Sequence, residues 1–562
     1  MYNNTQERLE ILWEKNYPAH ARRKIDIPEI SIYQMFKESV KKYGSREAIG
    51  FENMVKTYSE LNNEVERIAS GLSSMGLKKG DRIVVLLPNC PQYIYILLAS
   101  AKIGVTIINI NPMYTFNEIK NSIEVAKSKI IFVFAEFITK VIALFPTTLE
   151  KIIVVRTEIH IKNPLSSIPG LKNVLFQEEL PRDKNILFMI DVGKNLPPVK
   201  EELIDPKLDI ATIHFTGGIT GEPKPALISH YNLIANVYEL NEWTKNIDRN
   251  DILFIATPPF FHVFGITVNI LLPLLIGGKI QILSDRLDLE QIVKIIEKYP
   301  NVFYPDLPSK FNGMVEDYHI KKITPRGTVR IISTSSTLPA SLRANFVNRF
   351  GIKLCQGYGL TEASPVVAMC PDNEDMERPN SVGLPLPNTS VRIVDLKTGT
   401  VDMPLGETGE LLVKGPQVIE GFLNNASKQL VAKDGWLHTG DLGRVDENGY
   451  IYIMGRKKDM IKVKGVGVYP LEIEKIIRSN PKVENCAVIG VPDSITGESV
   501  VAFVEVRNNK TLSKEEILEY CRNNMYILKV PSDIIISDHL PKNPLGKVLK
   551  TELKKWYLDT HK

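Results

Sequence analysis

Apolar residues along the chain fall into short dense runs, set apart by longer stretches of helical spacing. AIGF (48–51), RIVVLLP (82–88), TIINI (106–110), KIIFVF (129–134) and KIIVV (151–155) are rich in β-branched residues and read as buried strands. Between them LNNEVERIASGLSSMG (61–76) places apolar residues on one helical face. Further on, DILFIAT, KIQIL, NVFYP and VRIIST alternate with helical stretches such as LEQIVKIIEKYP (289–300). From about Ser31 to Gly440 this alternation predicts layered α/β subdomains with mostly parallel sheets. The most apolar stretch, Ile266 to Ile276, contains Asn269 and Pro273 and is too short to cross a bilayer, so it reads as a buried core helix.

Near Asp395 the pattern changes to short strands with Gly and Pro turns (VRIVD, GELLVKGPQV, GRVDENGYIYIMG), predicting a smaller β-rich subdomain. From Arg456 the charge density rises through RKKDMIKVKG. A compact α+β pattern follows: helix PLEIEKIIRSN, strands VENCAVIGV and VVAFVEV, then helix SKEEILEYCRNN. The expected division is residues 1–457 and 458–562, with the boundary at Lys458.

Composition narrows the class. With 562 residues, 44% hydrophobic and 24% charged, the chain can bury more than one core and is not disordered. The net charge of +4 comes without a dense basic face, which argues against nucleic acid as a partner. Cys90, Cys355, Cys370, Cys486 and Cys521 form no CxxC pair, so neither a disulfide framework nor a zinc site is expected, and a reducing cytoplasm is. The N-terminus, MYNNTQERLEILWEKNYPAH, is polar and mixed in charge, unlike a signal peptide.

The candidate chemistry starts at HFTGGITGEPKPALISH (214–230), a glycine- and hydroxyl-rich loop between two β-prone stretches. Gly217, Gly218 and Gly221 let backbone N–H groups face an anion, Thr216 and Thr220 add hydroxyls, and Lys224 adds a mobile charge. Pro223 stands where a Walker loop has Gly, so the ordinary P-loop reading fails. A flexible surface hairpin is the plainer alternative. Four further motifs suit ATP chemistry. Gln356-Gly357-Tyr358-Gly359-Leu360-Thr361-Glu362 offers a flat backbone for a base and a hard carboxylate for Mg²⁺. In Gly435-Trp436-Leu437-His438-Thr439-Gly440-Asp441 a turn would present Asp441 to ribose hydroxyls. Gly455-Arg456-Lys457-Lys458-Asp459 and Pro541-Lys542-Asn543-Pro544-Leu545-Gly546-Lys547 complete the set. Each alone also reads as an ordinary turn or a solvated charge cluster.

Jointly and in this order, the motifs resemble the adenylate-forming superfamily of acyl-CoA synthetases, and long-chain fatty-acid–CoA ligases most. Asn111-Pro112-Met113-Tyr114-Thr115, Thr257-Pro258-Pro259-Phe260-Phe261-His262 and Tyr469-Pro470-Leu471-Glu472-Ile473-Glu474 are similar too. The resemblance implies a large N-terminal domain and a small mobile C-terminal domain. It implies ATP, Mg²⁺ and coenzyme A as the partners of a carboxylic acid, most simply a medium- or long-chain fatty acid. A short or hydroxylated acid, or a degenerate adenylate- or lipid-binding protein, are the alternatives. A homodimer and peripheral membrane contact are compatible with it.

By the same resemblance Thr216 to Lys224 clamp the β- and γ-phosphates, and Glu362 with Thr216 holds Mg²⁺. Ser335, Gly357, Tyr358, Gly359 and Thr361 line the adenine and α-phosphate side, and Asp441 with Arg456 takes the ribose. Lys547 bridges carboxylate and α-phosphate. Rotation at Lys458 then exchanges it for the Lys462 to Gly467 face, where Gly465 leaves room for the pantetheine arm. His262 sits between acyl pocket and thiol route. The departures are Ile219 for a hydroxyl residue, Pro225 for Gly, and Ser335-Ser336-Thr337 for a Gly-Gly-Ala-like run. Asp306, Pro308 and Lys310 fall in a segment that usually lines the acyl channel. A carboxylate facing an alkyl chain is costly to bury, so Asp306 either points away or the acid is polar or short.

Overall fold

The computed structural model describes residues 5–146, 148–156, 184–216, 224–283, 285, 288–320, 322–336, 338–371, 378, 380–423, 434–463, 466–493, 496–507, 510–542 and 548–561. The β-branched runs pair into two α/β sheets. The first has seven strands in the spatial order Ile186–Phe188, Lys151–Val155, Ile130–Phe134, Arg82–Leu86, Thr106–Asn109, Ile210–Thr216 and Lys224–Ser229. All its pairs are parallel except the last, which closes an antiparallel hairpin around the glycine-rich loop.

The second sheet has nine strands: Leu384–Pro385, Val366–Met369, Leu354–Gly359, Thr328–Ser333, Asn301–Asp306, Ile252–Ile255, Lys279–Ile282, Glu47–Phe51 and Met54–Thr57. Its centre is parallel and its edges antiparallel. AIGF, early in the chain, joins this second sheet beside Lys279–Ile282, a long-range pairing that local patterning cannot reveal. The run Ile266–Ile276 is buried and helical as expected, but begins as a π-helix over Gly265–Leu271 before continuing as Leu272–Ile276. π-turns are rare and concentrate at functional sites.

The β-rich subdomain is a four-stranded antiparallel sheet, Ser390–Val394, Gly409–Lys414, Leu437–Val445 and Ile451–Arg456. The helix Thr5–Asn16 and the segment after it strap this sheet to the body. Trp13 Nε1 donates to Gly449 O at 2.9 Å, and the buried Arg23 guanidinium donates to the carbonyls of Leu386 and Thr389 while stacking on Trp13.

A smaller C-terminal domain follows, built on strands Val466–Val468, Ile461–Val463, Gly497–Val506 and Val483–Asp493, with Asp533–Ser537 beside Gly497–Val506. It has its own core, including Val468, Ile473, Ile477, Val488, Ala502 and Val504. All five cysteines are buried and none is in a disulfide. Among the described residues no helix is long and apolar enough to cross a membrane, and no group of His, Cys, Asp and Glu side chains has the arrangement of a metal site.

Candidate active site

The second sheet brings the glycine motif to its carboxyl edge. Strand Leu354–Gly359 ends in a tight turn, Thr361–Ala363, which carries Thr361 and Glu362 before the chain returns antiparallel as Val366–Met369. Gly359 is required by close approach: a Cβ there would lie 2.2 Å from Pro365 O. Gly357 is different, because a Cβ would meet nothing nearer than Ala368 O at 3.6 Å.

Asp441 lies within strand Leu437–Val445, not in a turn as its motif suggested. Cross-strand pairing does the presenting. Asp441 faces Arg456 on Ile451–Arg456, with Arg456 Nε and Asp441 Oδ1 2.8 Å apart. Tyr358 OH donates to Asp441 Oδ2 at 2.6 Å, and Arg456 Nη1 also donates to Thr439 O at 3.2 Å. Both carboxylate oxygens of Asp441 are thus held in place, one by Arg456 and one by Tyr358. Gly440, at φ 69°, takes the left-handed conformation that swings the strand at this point.

Glu362 is half-buried, and burial raises its carboxyl above the usual range, as does Asp441 less strongly; Arg456 and Lys224 pull it back down. These four charges therefore share one electrostatic neighbourhood. A partly buried carboxylate held against its desolvation is the donor type a hard divalent cation satisfies, so Glu362 fits Mg²⁺. Thr216 and Lys224 are register partners at the neck of the glycine-rich hairpin, and Thr216 Oγ1 donates to Lys224 O at 3.2 Å. Gly217, Gly218, Thr220, Gly221, Gly465 and Lys547, with Ile219 and Thr337, lie outside the described residues.

A cleft of about 480 Å³ opens between the two domains. The large domain contributes Ser335, Gly357, Tyr358, Gly359, Asp441 and Arg456; the small domain contributes Glu474, Arg478, Lys542, Val548 and Lys550. Lys542 and Val548, which bracket the C-terminal lysine motif, form a β-bridge at its wall. Thr216, Lys224, His262, Lys458 and Lys462 do not line the cleft, and Lys224, Lys458 and Lys462 are exposed. Ser335 adopts φ 68°, the left-handed conformation that favours glycine.

Asp306 is turned inward. It is 4% exposed and accepts from Tyr304 OH at 3.0 Å and from the Leu307 N–H at 2.7 Å. Burial raises its carboxyl above the usual range, with the Thr257 hydroxyl opposing the shift. It does not line the cleft, whereas its neighbour Pro308 does.

His262 is half-buried, and burial pushes its imidazole down to about 4. Its Nδ1 accepts from Phe264 N–H at 3.2 Å, so Nε2 carries the proton of the neutral ring. Sequence reasoning passed over the side chains around it. Asn109 and His214 come from strands of the first sheet, Asn89 from the connection after its strand Arg82–Leu86 and Tyr93 from the helix Pro91–Ile103, and together they support the Thr257–His262 loop. A lone His in an apolar strand carries no local signal of such a role.

Two α/β sheets and an interdomain cleft lined by a glycine strand and an Asp–Arg pair are the architecture of an adenylate-forming enzyme. Comparison with known proteins agrees: residues 36–423 match the AMP-binding enzyme family and residues 472–547 its C-terminal domain. The chain is 31% identical to a long-chain-fatty-acid–CoA ligase of Bacillus subtilis, covering 98% of each chain. It is 33% identical to the ligase of the same name from Yersinia pestis, over 97% of this chain and 98% of that one. In three dimensions it matches ATP-bound MatB from Rhodopseudomonas palustris with a TM-score of 0.82 and 26% identity, over 95% of this chain and 100% of that one. The chain belongs to the AMP-binding enzyme family, whose acyl-CoA ligases work by ATP-dependent adenylate formation with Mg²⁺ and CoA.

Proposed function

We propose that the protein joins a medium- or long-chain fatty acid to coenzyme A in two steps at the interdomain cleft. A carboxylate oxygen attacks the α-phosphorus of ATP and pyrophosphate leaves; the CoA sulfur then attacks the acyl carbon and AMP leaves. The first step brings two anions together, and unit charges about 4 Å apart repel by roughly 4 kcal/mol at an effective dielectric near 20. Glu362 and Thr216 would hold Mg²⁺, which would supply fixed positive charge against that repulsion. Lys224 and the glycine loop orient the pyrophosphate, and Asp441, paired with Arg456, takes the ribose hydroxyls. Gly357, Tyr358, Gly359, Thr361 and Ser335 receive the adenine side. Lys547 bridges carboxylate and phosphate, and a hinge at Lys458, between residues 1–457 and 458–562, exchanges it for Lys462 and Gly465 in the second step.

The carrying observation is the facing of Gly357–Gly359, Asp441 and Arg456 by the Lys542–Val548 bridge across one cleft. The apolar acid is supported by the two ligases named above and by the inward turn of Asp306, which removes the ground for a polar substrate. The five buried thiols support a reducing, cytoplasmic setting. The test is incubation of purified protein with ATP, Mg²⁺, CoA and carboxylic acids of graded length, following pyrophosphate and AMP. Release is expected with the longer saturated acids. Release confined to short or hydroxylated acids would overturn the substrate class, and none with any acid would overturn the ligase.

A further inference from the structure

The loop Thr257–His262 leaves the second sheet after strand Ile252–Ile255, yet much of what holds it comes from the first sheet and from the connection and helix that follow its strand Arg82–Leu86. Asn89 saturates its amide on this loop: Nδ2 donates to Ala256 O at 3.0 Å and to Pro258 O at 2.9 Å, and Oδ1 accepts from Phe260 N–H at 2.8 Å. One residue further on, His214 Nδ1 lies 3.1 Å from Phe261 O. A carbonyl only accepts, so Nδ1 carries the proton and Nε2 is the acceptor, 3.2 Å from Asn109 Nδ2. Asn109 Oδ1 then accepts from Tyr93 OH, whose ring packs on Phe260 with centroids 5.6 Å apart. The directions close without conflict: Tyr93 to Asn109, Asn109 to His214, His214 to Phe261. Tyr93, Asn109 and His214 are at most 4% exposed, so each bond is made away from water and tolerates little drift.

We propose that Asn89 and His214 are positioning residues that fix the Thr257–His262 loop so that His262 stands where the CoA thiol must pass to the acyl-adenylate. The assignment rests on the proposed ligase function and on the place for His262 between acyl pocket and thiol route that the family resemblance implies. Neither side chain touches substrate. His214 acts through the Phe261 carbonyl and Asn89 through three backbone groups. Gly265 completes the hold, since a Cβ there would lie 2.1 Å from Pro259 O.

The two half-reactions separate this role from general damage. In the full-length enzyme, adenylate formation is read as pyrophosphate released from ATP and dodecanoate without CoA. Thioester formation is read from supplied dodecanoyl-AMP and CoA. Asn89→Ala and His214→Leu are each expected to slow thioester formation about tenfold and adenylate formation less than about threefold. His214→Gln, which restores one donor and one acceptor, is expected to recover thioester formation to within about threefold of the parent. Parallel loss of both half-reactions in both variants overturns the proposal, as does an unchanged thioester step. Loss of adenylate formation in His214→Leu with a silent Asn89→Ala also overturns it, because His214 would then serve only the strand leading to Thr216. If the parent enzyme forms no adenylate, the functional reading has failed, and the hold is judged alone by the NMR signal of the His262 ring, identified with His262→Gln. That signal is expected to move in Asn89→Ala and His214→Leu, and an unmoved signal overturns the hold.

Discussion

Gly357 and Gly359 sit two residues apart on one strand and have opposite reasons to be glycine. A methyl at 359 would run into Pro365 O at 2.2 Å, so Gly359→Ala is expected to destabilise the fold by about 1–3 kcal/mol. A methyl at 357 makes only ordinary contacts in the protein, 3.6 Å from Ala368 O at the nearest, on a residue that lines the cleft. Gly357→Ala should therefore keep the parent melting temperature while losing adenylate formation, which calorimetry beside a pyrophosphate assay would check. His214, His230 and His262 set a second residue-scale expectation. Burial pushes His230 from 6.5 down to about 4, and Ile32 N–H already occupies its Nδ1. Between those values the unfolded chain binds a proton that the folded one refuses. Stability from this group is complete above pH 6.5 and declines as pH falls toward 4, by on the order of 3 kcal/mol in full. Buried Glu239 and Asp306, with raised carboxyls, pull the other way. The comparison that isolates the histidine is His230→Gln against the parent by urea denaturation, where the variant should lose less stability between pH 6.5 and 4. The motifs containing Gly357, Asp441 and Arg456 could be picked out in the sequence because glycine and charge spacing are local. Which glycine answers to a backbone and which to a ligand was not legible, since Pro365 comes near Gly359 only after the chain has turned back.

At the scale of elements, strands were readable wherever β-branched residues cluster, and helices wherever one face is apolar. The strap Thr5–Asn16 shows neither signal strongly, and its polar sequence said only what it was not. Its hold comes from Trp13, fully buried against Gly449, where a Cβ would come within 2.7 Å of the indole. Trp13→Ala is expected to cost about 3–5 kcal/mol, seen as a lowered urea midpoint. The π-turn at Gly265–Leu271 was hidden for another reason. A wholly apolar run has no phase, so its pitch cannot be read from the pattern. Asp441 is the converse case: glycines around it suggested a turn, and pairing with Ile451–Arg456 made it a strand.

At the scale of the whole molecule, the two domains meet through few charged contacts among the described residues. Arg507 of the small domain pairs with Glu316 of the large one and lies 3.7 Å from Glu484, while Asn312 reaches Glu484 at 3.4 Å. Partly exposed pairs of this kind are worth about 0–1 kcal/mol, enough to bias an orientation and too little to lock it. Arg507→Gln is expected to lower adenylate formation relative to thioester formation about two- to fivefold, with added salt acting in the same direction on the parent. Equal loss of both rates would count against a moving C-terminal domain. Lys547→Ala sets the limit of the same scale: adenylate formation should vanish while thioester formation from supplied acyl-AMP persists. The sequence conveyed the two-domain division through a change of texture and charge near Arg456. It could not convey these contacts, because Glu316 and Arg507 are 191 residues apart.

The burial of every cysteine has a practical side. Folded protein presents no thiol at its surface, so a maleimide dye would find only a cysteine placed there by design. One such handle on each domain would turn the angle between them into a fluorescence distance, free of background labelling. The same five silent thiols would become a clock for unfolding, each reacting only when its own core opens.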